Sequence, residues 1–377
     1  MRPEPLVKYL GAVSCLVLAA AAVVAGASAA PPIPHYDHIF VIVEENKGFD
    51  QLMKHPAWAP QIHKLAAEYG LATQFYAEVH PSEANYLAML GGDTFDIHDD
   101  DAFFCKPGPK SEFCEKSDRP DYIDHDVAAR SLMDQLAEKG LTWKVYMEDI
   151  PGPGSLVPVW PTAGYPVKGR PYGLYAAKHN GFVNFKSVNA KPYPELMRLM
   201  VGFKQLDADI AAGNLPNYAH VVPNQCNEMH GRDAGDGPDV PEDCKKANMP
   251  ALIKRGDAEI GRLVAEIMQS KAWSAPGNFA IVITFDENGG DERKSGPQGC
   301  CGYDPKSIAN FGGGRIPTLV ITNHGPRHVK DATPYNHYSL LRTVEDAFGI
   351  SEHLAHAADT DKGVVSMAPL FAIESAH

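Results

Sequence analysis

The sequence predicts an α/β protein with a doubly wound, mostly parallel central sheet and helices on both faces. Two nearly continuous apolar runs, residues 39–43 and 280–285, have the composition of strands that are covered on both sides. Strand-like and helix-like segments alternate between them, as they do in the βα units of parallel sheets. The clearest helix, residues 249–270, carries its apolar side chains on one stripe and leads directly into the second run.

The first part of the chain opens with a βα unit. A strand at residues 38–44 precedes a helix near residues 59–69, where apolar side chains have helical spacing. Ser82 then stands at or near the N-cap of a second helix, which ends at a pair of glycines. Residues 93–126 are acidic, carry cysteines and lack periodicity, so we expect a surface excursion there.

The rest of the chain continues the alternation and contains no internal repeat, GxGxxG motif or Walker loop. Two irregular stretches interrupt it, at residues 151–171 and 224–248. Prolines and glycines crowd the first stretch, which predicts a long loop that could rim a site. The remaining predicted elements are helix 131–140, strand 142–146, strand 219–223, strand 316–321 and helix 338–348.

The amino terminus has the pattern of a secretory signal peptide, which we assign to residues 1–29. Basic residues precede the apolar run 10–24, and Ala27-Ser28-Ala29 offers small side chains at a cleavage point. A retained membrane anchor is the alternative, although the run is shorter than the roughly 20 residues that a span needs. Residues 30–377 are predicted to form one domain, interrupted by the excursions at about 93–126, 151–171 and 224–248.

Charge and cysteine content describe the environment in which the chain works. The net charge of −13 argues against a nucleic-acid partner, because an acidic surface repels phosphate backbones. An even number of cysteines after export suggests disulfides, with reduced thiols as the alternative. Six cysteines allow about 15 pairings, and local pairs are our guess. The candidates are Cys105 with Cys114, Cys226 with Cys244, and the adjacent Cys300 and Cys301, which can join only in a strained ring.

Two acidic clusters, Glu44-Glu45-Asn46 and Asp286-Glu287-Asn288, directly follow the two apolar runs. Ligands in open α/β sheets bind outside the carboxyl ends of the strands, so these clusters could meet at one site. Carboxylate and amide oxygens suit calcium, magnesium or manganese, and added histidine would suit zinc or iron. Each cluster alone could also be an ordinary polar junction between strand and loop. The candidate ligands of a divalent metal ion are Glu45, Asn46, Asp286 and Glu287.

Ser82 is the candidate nucleophile of this site. A serine at a helix N-terminus sits where backbone N–H groups and the helix dipole can hold an anion against its hydroxyl. A simple N-cap is the alternative. Since the chain lacks a G-x-S-x-G elbow, activation of the hydroxyl by a metal ion is the more natural route.

Two of the 16 histidines, His230 and His337, lie in irregular segments beside the ends of predicted elements. Each could act as a general acid or donate a hydrogen bond to a phosphate. A surface or structurally bonded histidine is the alternative for both.

Seven sequence blocks resemble the acid phosphatase and phospholipase C phosphoesterase family, within the alkaline-phosphatase-like superfamily. The first block, residues 45–50, resembles the E-N-x-x-F-D opening of that family, and the others follow in the expected order over nearly the whole mature chain. The further blocks are residues 80–88, 143–146, 178–180, 222–224, 284–287 and 335–343.

The resemblance implies an alkaline-phosphatase-like fold and a secreted, metal-dependent acid phosphatase in which a serine attacks phosphorus and the phosphoserine is then hydrolysed. By this resemblance Glu45, Asn46, Asp286 and Glu287 match the metal ligands, Ser82 the nucleophile, and His230 and His337 nearby site histidines, with Asn85 as a candidate substrate contact. An acidic pH optimum would fit a protonated histidine. The expected substrate is a phosphomonoester, with phosphoinositides and transient phospholipid contact as options.

Two other functions stay open at this point. A phospholipase C type phosphodiesterase would use the same metal and serine but would need room for a second ester group. A secreted protein that binds cations without catalysis would use the acidic clusters for stability alone.

Overall fold

A nine-stranded mixed sheet lies at the centre of the chain. This computed structural model describes Met1 and residues 32–160, 166–167, 170–171, 173–233, 240–289, 298–304, 306 and 312–373. The predicted signal peptide therefore lies outside the described residues, apart from Met1, and so do parts of the predicted loops 151–171 and 224–248.

Thirteen strands are described, nine of them in the central sheet, and β4 with β7 and β5 with β6 form two small hairpin-like pairs. The strands are β1 (His38–Glu44), β2 (Gly70–Ala77), β3 (Trp143–Met147), β4 (Val159–Trp160), β5 (Pro166–Val167), β6 (Arg170–Pro171), β7 (Tyr175–Ala176), β8 (Met200–Val201), β9 (Tyr218–Val222), β10 (Phe279–Phe285), β11 (Gly314–Thr322), β12 (Val329–Asp331) and β13 (Tyr335–Asn336).

The α-helices surround this sheet, joined by short 3-10 turns. They are α1 (Phe49–Met53), α2 (Pro60–Glu68), α3 (Glu83–Gly91), α4 (Leu132–Glu138), α5 (Lys186–Asn189), α6 (Tyr193–Leu199), α7 (Phe203–Ala212), α8 (Met249–Met268), α9 (His337–Ala347) and α10 (Ala368–Phe371). Among the described residues, no helix has the length and apolar composition needed to cross a lipid bilayer.

The strand order is β12-β2-β11-β10-β1-β9-β3-β8, with β13 paired to β2. The predicted mostly parallel α/β sheet is confirmed, because β1 runs parallel to both β10 and β9, and β3 runs parallel to β9 and β8. The sequence did not predict that β11 runs antiparallel to both of its neighbours.

Strand β2 was not predicted at all. Its apolar run is broken by Thr73 and Gln74, which are only partly buried. Their side chains donate to the carbonyl oxygens of Asp331 and Ala332, at the edge of the sheet. The two polar residues therefore fit within the strand because they hydrogen-bond to the neighbouring segment. This tertiary contact cannot be read from the periodicity of the sequence.

The register between β1 and β10 brings the two acidic clusters together. Glu44 is paired with Phe285 at the ends of these parallel strands, and the N–H of Asp286 donates to the carbonyl oxygen of Glu44 at 3.0 Å. Glu45 and Asp286 therefore leave the sheet side by side, as the sequence predicted for strands that end at the same edge.

Three disulfides confirm the predicted use of the cysteines. Cys105–Cys114 lies in the excursion at residues 93–126, Cys226–Cys244 closes the irregular stretch after β9, and the adjacent Cys300 and Cys301 are joined to each other.

Candidate active site

The loop after β1 supplies the first group of the site. Glu45 is fully buried, and its N–H donates to the carbonyl oxygen of Glu228 at 2.7 Å. Asn46 has a φ of 54°, the left-handed region that few residues other than glycine adopt. This turn directs the N–H of Asn46 to Asp286 Oδ1 at 2.8 Å, and the side-chain Nδ2 lies 3.3 Å from Asp286 Oδ2.

Ser82 joins this group from the N-terminus of α3. Its hydroxyl makes no capping hydrogen bond to the helix and instead donates to Glu45 Oε2 at 3.0 Å. Asn46 Nδ2 lies 3.4 Å from Ser82 Oγ on another side. The Ser82 hydroxyl therefore does not act as the N-cap that the sequence offered as the alternative. The structure brings together four predicted residues in one cluster: Ser82, Glu45, Asn46 and Asp286.

Asn85, the candidate substrate contact, lies behind the loop that carries Ser82. Its Oδ1 accepts from the N–H groups of Glu78 and Val79 at 3.0 and 3.2 Å, and its Nδ2 donates to the carbonyl oxygen of Val79 at 2.9 Å. Because its side-chain oxygen and one of its N–H groups bond to the backbone of residues 78 and 79, Asn85 fixes the conformation of the segment that leads to Ser82.

Two histidines complete the cluster around Glu45. Its Oε1 accepts from the Tyr86 hydroxyl at 2.6 Å and lies 3.4 Å from His179 Nε2. Glu45, His179 and His230 each offer one ligand atom, and these atoms lie within 4.8 Å of one another. One carboxylate with two imidazoles is a donor set that zinc or iron accepts, which is the option that the sequence left open if histidine joined the oxygen ligands.

Sequence reasoning missed His179 and Glu228 as site residues. Glu228 is buried, and its Oε1 lies 2.8 Å from His179 Nδ1, an arrangement in which a carboxylate orients a ligand histidine. Residues 178–180 were recognised only as a block of the family resemblance. Their position in a 3-10 turn, Ala177–His179, gives no periodicity from which a role could be assigned.

Three buried carboxylates crowd this cluster and disfavour one another's charge. Burial raises the pKa of Glu45 well above its usual range, and the charges of Asp286 and Glu228 raise it further. Burial likewise raises the pKa of Asp286 to about 6. The pKa of Glu228 is also raised, first by burial and then by the charge of Asp286. A cation placed among them would relieve this repulsion.

The site histidines have the opposite shift. Burial lowers the pKa of His179 and of His230 well below the usual range, and the positive charges of Lys178 and Lys246 lower both further. Neutral imidazoles are the form that binds metal ions. The expected protonated histidine is therefore not what this arrangement favours at His230.

Two predicted residues lie beside the cluster and contact other groups. Glu287 is buried, and its carboxylate contacts the ring of His80, two residues before Ser82. His337 begins α9, where its Nε2 lies 3.0 Å from the carbonyl oxygen of Phe285, and burial lowers its pKa to about 4. The structure thus places both residues against the segments that carry Ser82 and Asp286.

A cavity of about 340 Å³ opens next to the cluster. His230, Lys178 and Lys246 line it together with apolar side chains such as Phe113 and Val159. This volume is in the range of small-molecule sites. Lys178 Nζ donates to Asp100 Oδ2 at 2.8 Å, so one wall of the cavity carries a fixed ion pair.

The model of the phosphoesterase family matches residues 55–351. The chain belongs to this family. Membership identifies it as a hydrolase that acts on phosphate esters, which confirms the family predicted from the sequence blocks.

Relatives of this phosphoesterase carry phosphatase names. A phosphatidylinositol-3-phosphatase from Mycobacterium tuberculosis is 28% identical over 349 residues, which cover 92% of this chain and 84% of the relative. An acid phosphatase from Aspergillus fumigatus is 26% identical over 286 residues, covering 76% of this chain but only 50% of the longer fungal protein. Among solved structures, a sulfatase from Pseudoalteromonas matches with a TM-score of 0.50 at 13% identity, covering 90% of this chain and 72% of the sulfatase, which shows a shared fold.

Proposed function

We propose that this phosphoesterase is an exported, metal-dependent phosphomonoesterase in which Ser82 is the nucleophile. The observation that carries the proposal is the direction of the Ser82 hydroxyl. It stands at a helix N-terminus, yet it donates to the buried Glu45 carboxylate at 3.0 Å instead of capping the helix. Export is supported by the three disulfides, which persist in oxidising compartments.

The chemistry of the donor set fits a divalent cation. Glu45, His179 and His230 would hold it, with Asp286 and Asn46 adjoining, and it would supply Lewis-acid polarisation of a phosphoryl oxygen. The crowding of Glu45, Asp286 and Glu228 supports this assignment, since buried carboxylates are otherwise paired.

The residues around Ser82 suit attack by its oxygen on phosphorus. The Tyr86 hydroxyl donates to Glu45 Oε1, and the Asn46 amide and the Ser82 hydroxyl both donate to Oε2. Oε2 thereby orients the serine hydroxyl and can receive its proton. Formation of the Oγ–P bond breaks the ester P–O bond, and the leaving alkoxide takes a proton from solvent in the cavity to become the alcohol. Water then hydrolyses the phosphoserine. Lys178, whose pKa the charges of Asp100 and Glu45 raise against the effect of burial, supplies positive charge near the phosphate.

The substrate that we propose is a phosphomonoester with a polar leaving group, phosphoinositides included. The cavity has both lysines and apolar walls, which suits a headgroup attached to a lipid. The mycobacterial relative is named for such a substrate.

The test compares wild type with Ser82→Ala on 4-nitrophenyl phosphate, with Ser111→Ala as the matched control. Ser111 is an exposed serine of the excursion, and its hydroxyl donates to the carbonyl oxygen of Glu112. We expect Ser82→Ala to lower kcat by about 10³-fold or more, Ser111→Ala to leave it unchanged, and acid-quenched wild type to carry phosphate on Ser82. Near-normal turnover by Ser82→Ala would show that the phosphoserine route is wrong.

Two further measurements complete the test. Chelation should abolish activity and a divalent metal ion should restore it, whereas full activity after chelation would contradict metal dependence. Rates on 4-nitrophenyl phosphate should exceed those on 4-nitrophenyl phosphocholine, and the reverse order would favour the phosphodiesterase.

A further inference from the structure

Lys47 is a buried lysine two residues after Glu45, with only 2% of its surface exposed. Its ammonium nitrogen lies 3.3 Å from the carbonyl oxygen of Glu45, 3.1 Å from that of Asn46 and 2.8 Å from that of Met229. A lysine ammonium has three N–H donors, and three backbone carbonyl oxygens receive them here. The ammonium is thus solvated by backbone in place of water.

These carbonyl oxygens belong to two different loops of the site. Glu45 and Asn46 lie in the loop after β1, whereas Met229 lies between Glu228 and His230 in the loop after β9. Lys47 therefore bridges the loop that supplies the carboxylate of the candidate metal group and the loop that supplies one of its imidazoles.

Both loops contain a residue in a disfavoured conformation at the bridge. Asn46 has a φ of 54° and Met229 a φ of 70°, although neither is a glycine. Left-handed residues of this kind persist only where their surroundings hold them. The carbonyl oxygens of Asn46 and Met229 accept from the same ammonium. The buried Lys47 side chain therefore stabilises the left-handed conformation of both residues.

The charge of Lys47 also lies close to the crowded carboxylates. Burial lowers its pKa to about 8, while the charges of Asp286, Glu45 and Glu44 oppose that decrease. An apolar side chain of the same length would leave three carbonyl oxygens without their donor and would remove the compensating charge.

We infer that Lys47 is a positioning residue for catalysis, which fixes the separation of the Glu45 and His230 loops through their backbone carbonyl oxygens. This inference rests on the proposed function. Lys47 touches neither substrate nor reacting atoms and acts through the residues that do.

The experiment compares Lys47→Met with Lys144→Met. Lys144 is a partly buried lysine of β3 whose ammonium contacts the Asp209 carboxylate, so its loss also removes a paired positive charge but at a different place. We expect Lys47→Met to lower kcat by about 10- to 100-fold, with a much smaller change in KM. Lys144→Met should keep the wild-type kcat even if its melting temperature falls.

Rescue and metal binding separate positioning from general destabilisation. Lys47→Arg keeps the charge and several donors, so it should recover part of the lost kcat. Binding of Zn²⁺ alone, measured by calorimetry on the metal-free proteins, should weaken about 10-fold in Lys47→Met and stay unchanged in Lys144→Met. If Lys47→Met does not fold, Lys47→Gln replaces it under the same criteria.

Wild-type kcat in a folded Lys47→Met variant, or equal losses of kcat in Lys47→Met and Lys144→Met, would overturn the inference. An inactive wild type would instead overturn the proposed function, and the zinc affinities would then decide on Lys47 separately. A wild type that neither hydrolyses the substrate nor binds zinc would overturn both.

Discussion

Two buried polar clusters contact consecutive residues, Ser82 and Glu83, and they differ in how their charges are balanced. In the first, which we call the Glu45 cluster, Glu45, Asp286 and Glu228 crowd one another beside neutral imidazoles.

In the second, the His125 cluster, the His125 ring lies between two carboxylates. Its Nδ1 is 3.1 Å from Glu83 Oε1, and its Nε2 is 3.2 Å from Asp99 Oδ1. Burial alone would lower the pKa of His125, but the charges and hydrogen bonds of Glu83 and Asp99 raise it to about 10.

The difference shows what each cluster contributes. The His125 ring contacts Glu83 through one nitrogen and Asp99 through the other, so this cluster can tie residues 93–126 to the N-terminus of α3 without any ligand. In the Glu45 cluster the carboxylates repel one another although Lys47 and Lys178 lie nearby, and that repulsion disfavours the metal-free fold. Such an arrangement is expected where a cation and a phosphate complete the balance.

The largest effect is expected for Asp286→Asn. The new asparagine can still accept the hydrogen bond from the N–H of Asn46. The substitution removes one of the three carboxylate charges of the Glu45 cluster. We expect kcat to fall by about 10³-fold, while the melting temperature of the metal-free protein stays the same or rises. Steady-state kinetics and thermal unfolding after chelation would measure this.

Asp99→Asn is the matched control from the His125 cluster. It removes a carboxylate that the structure pairs with an imidazolium, so its stability should fall and its kcat should change less than that of Asp286→Asn. If both variants lost stability equally, the two clusters would not differ in the way described here.

The sequence anticipated the Glu45 cluster better than the His125 cluster, for a physical reason. Parallel strands that end at one edge bring their next residues together, so Glu45 and Asp286 could be placed from two apolar runs. Ser82 followed from its position before a helix. His125 lies at the end of an irregular excursion, where the contacts with Glu83 and Asp99 arise only from the tertiary path of the chain.

The same limit explains the other differences between expectation and structure. Strand β2 contains polar residues whose side chains hydrogen-bond to the segment at the edge of the sheet. The composition of β11 does not indicate that this strand runs antiparallel to its neighbours. His179 comes from a 3-10 turn after a proline- and glycine-rich stretch. Glu287 follows Asp286 directly, but successive residues after a strand point to different sides, and its carboxylate pairs with His80.

The second largest effect is expected for His125→Leu. This change leaves two buried carboxylates without their cation, which should lower the free energy of unfolding by about 3–5 kcal/mol. His353→Leu is the control, since His353 contacts one carboxylate, Asp346, at a more exposed site. Its loss should cost less than about 1 kcal/mol. Urea unfolding would measure both, and equal losses would contradict the balance assigned to the His125 cluster.

The smallest effect is expected in the pH dependence of the stabilisation that His125 contributes to the folded protein. The folded pKa of His125, about 10, lies above the ordinary value of about 6.5 for an unfolded histidine. A raised folded pKa means that the folded protein holds the proton more tightly, so the stabilisation is complete below pH of about 6.5 and is lost as pH rises through about 10.

The stability gap between wild type and His125→Leu should therefore be widest near pH 6 and should narrow by pH 10.5, measured as the difference in unfolding free energy between the two proteins at each pH. Taking this difference cancels the titration of shared groups that do not contact His125. A gap that stays constant over this range would mean that His125 is neutral in the folded protein. Both clusters would then contain uncharged histidine rings, and the contrast between a charged histidine beside Glu83 and neutral histidines beside Glu45 would fail.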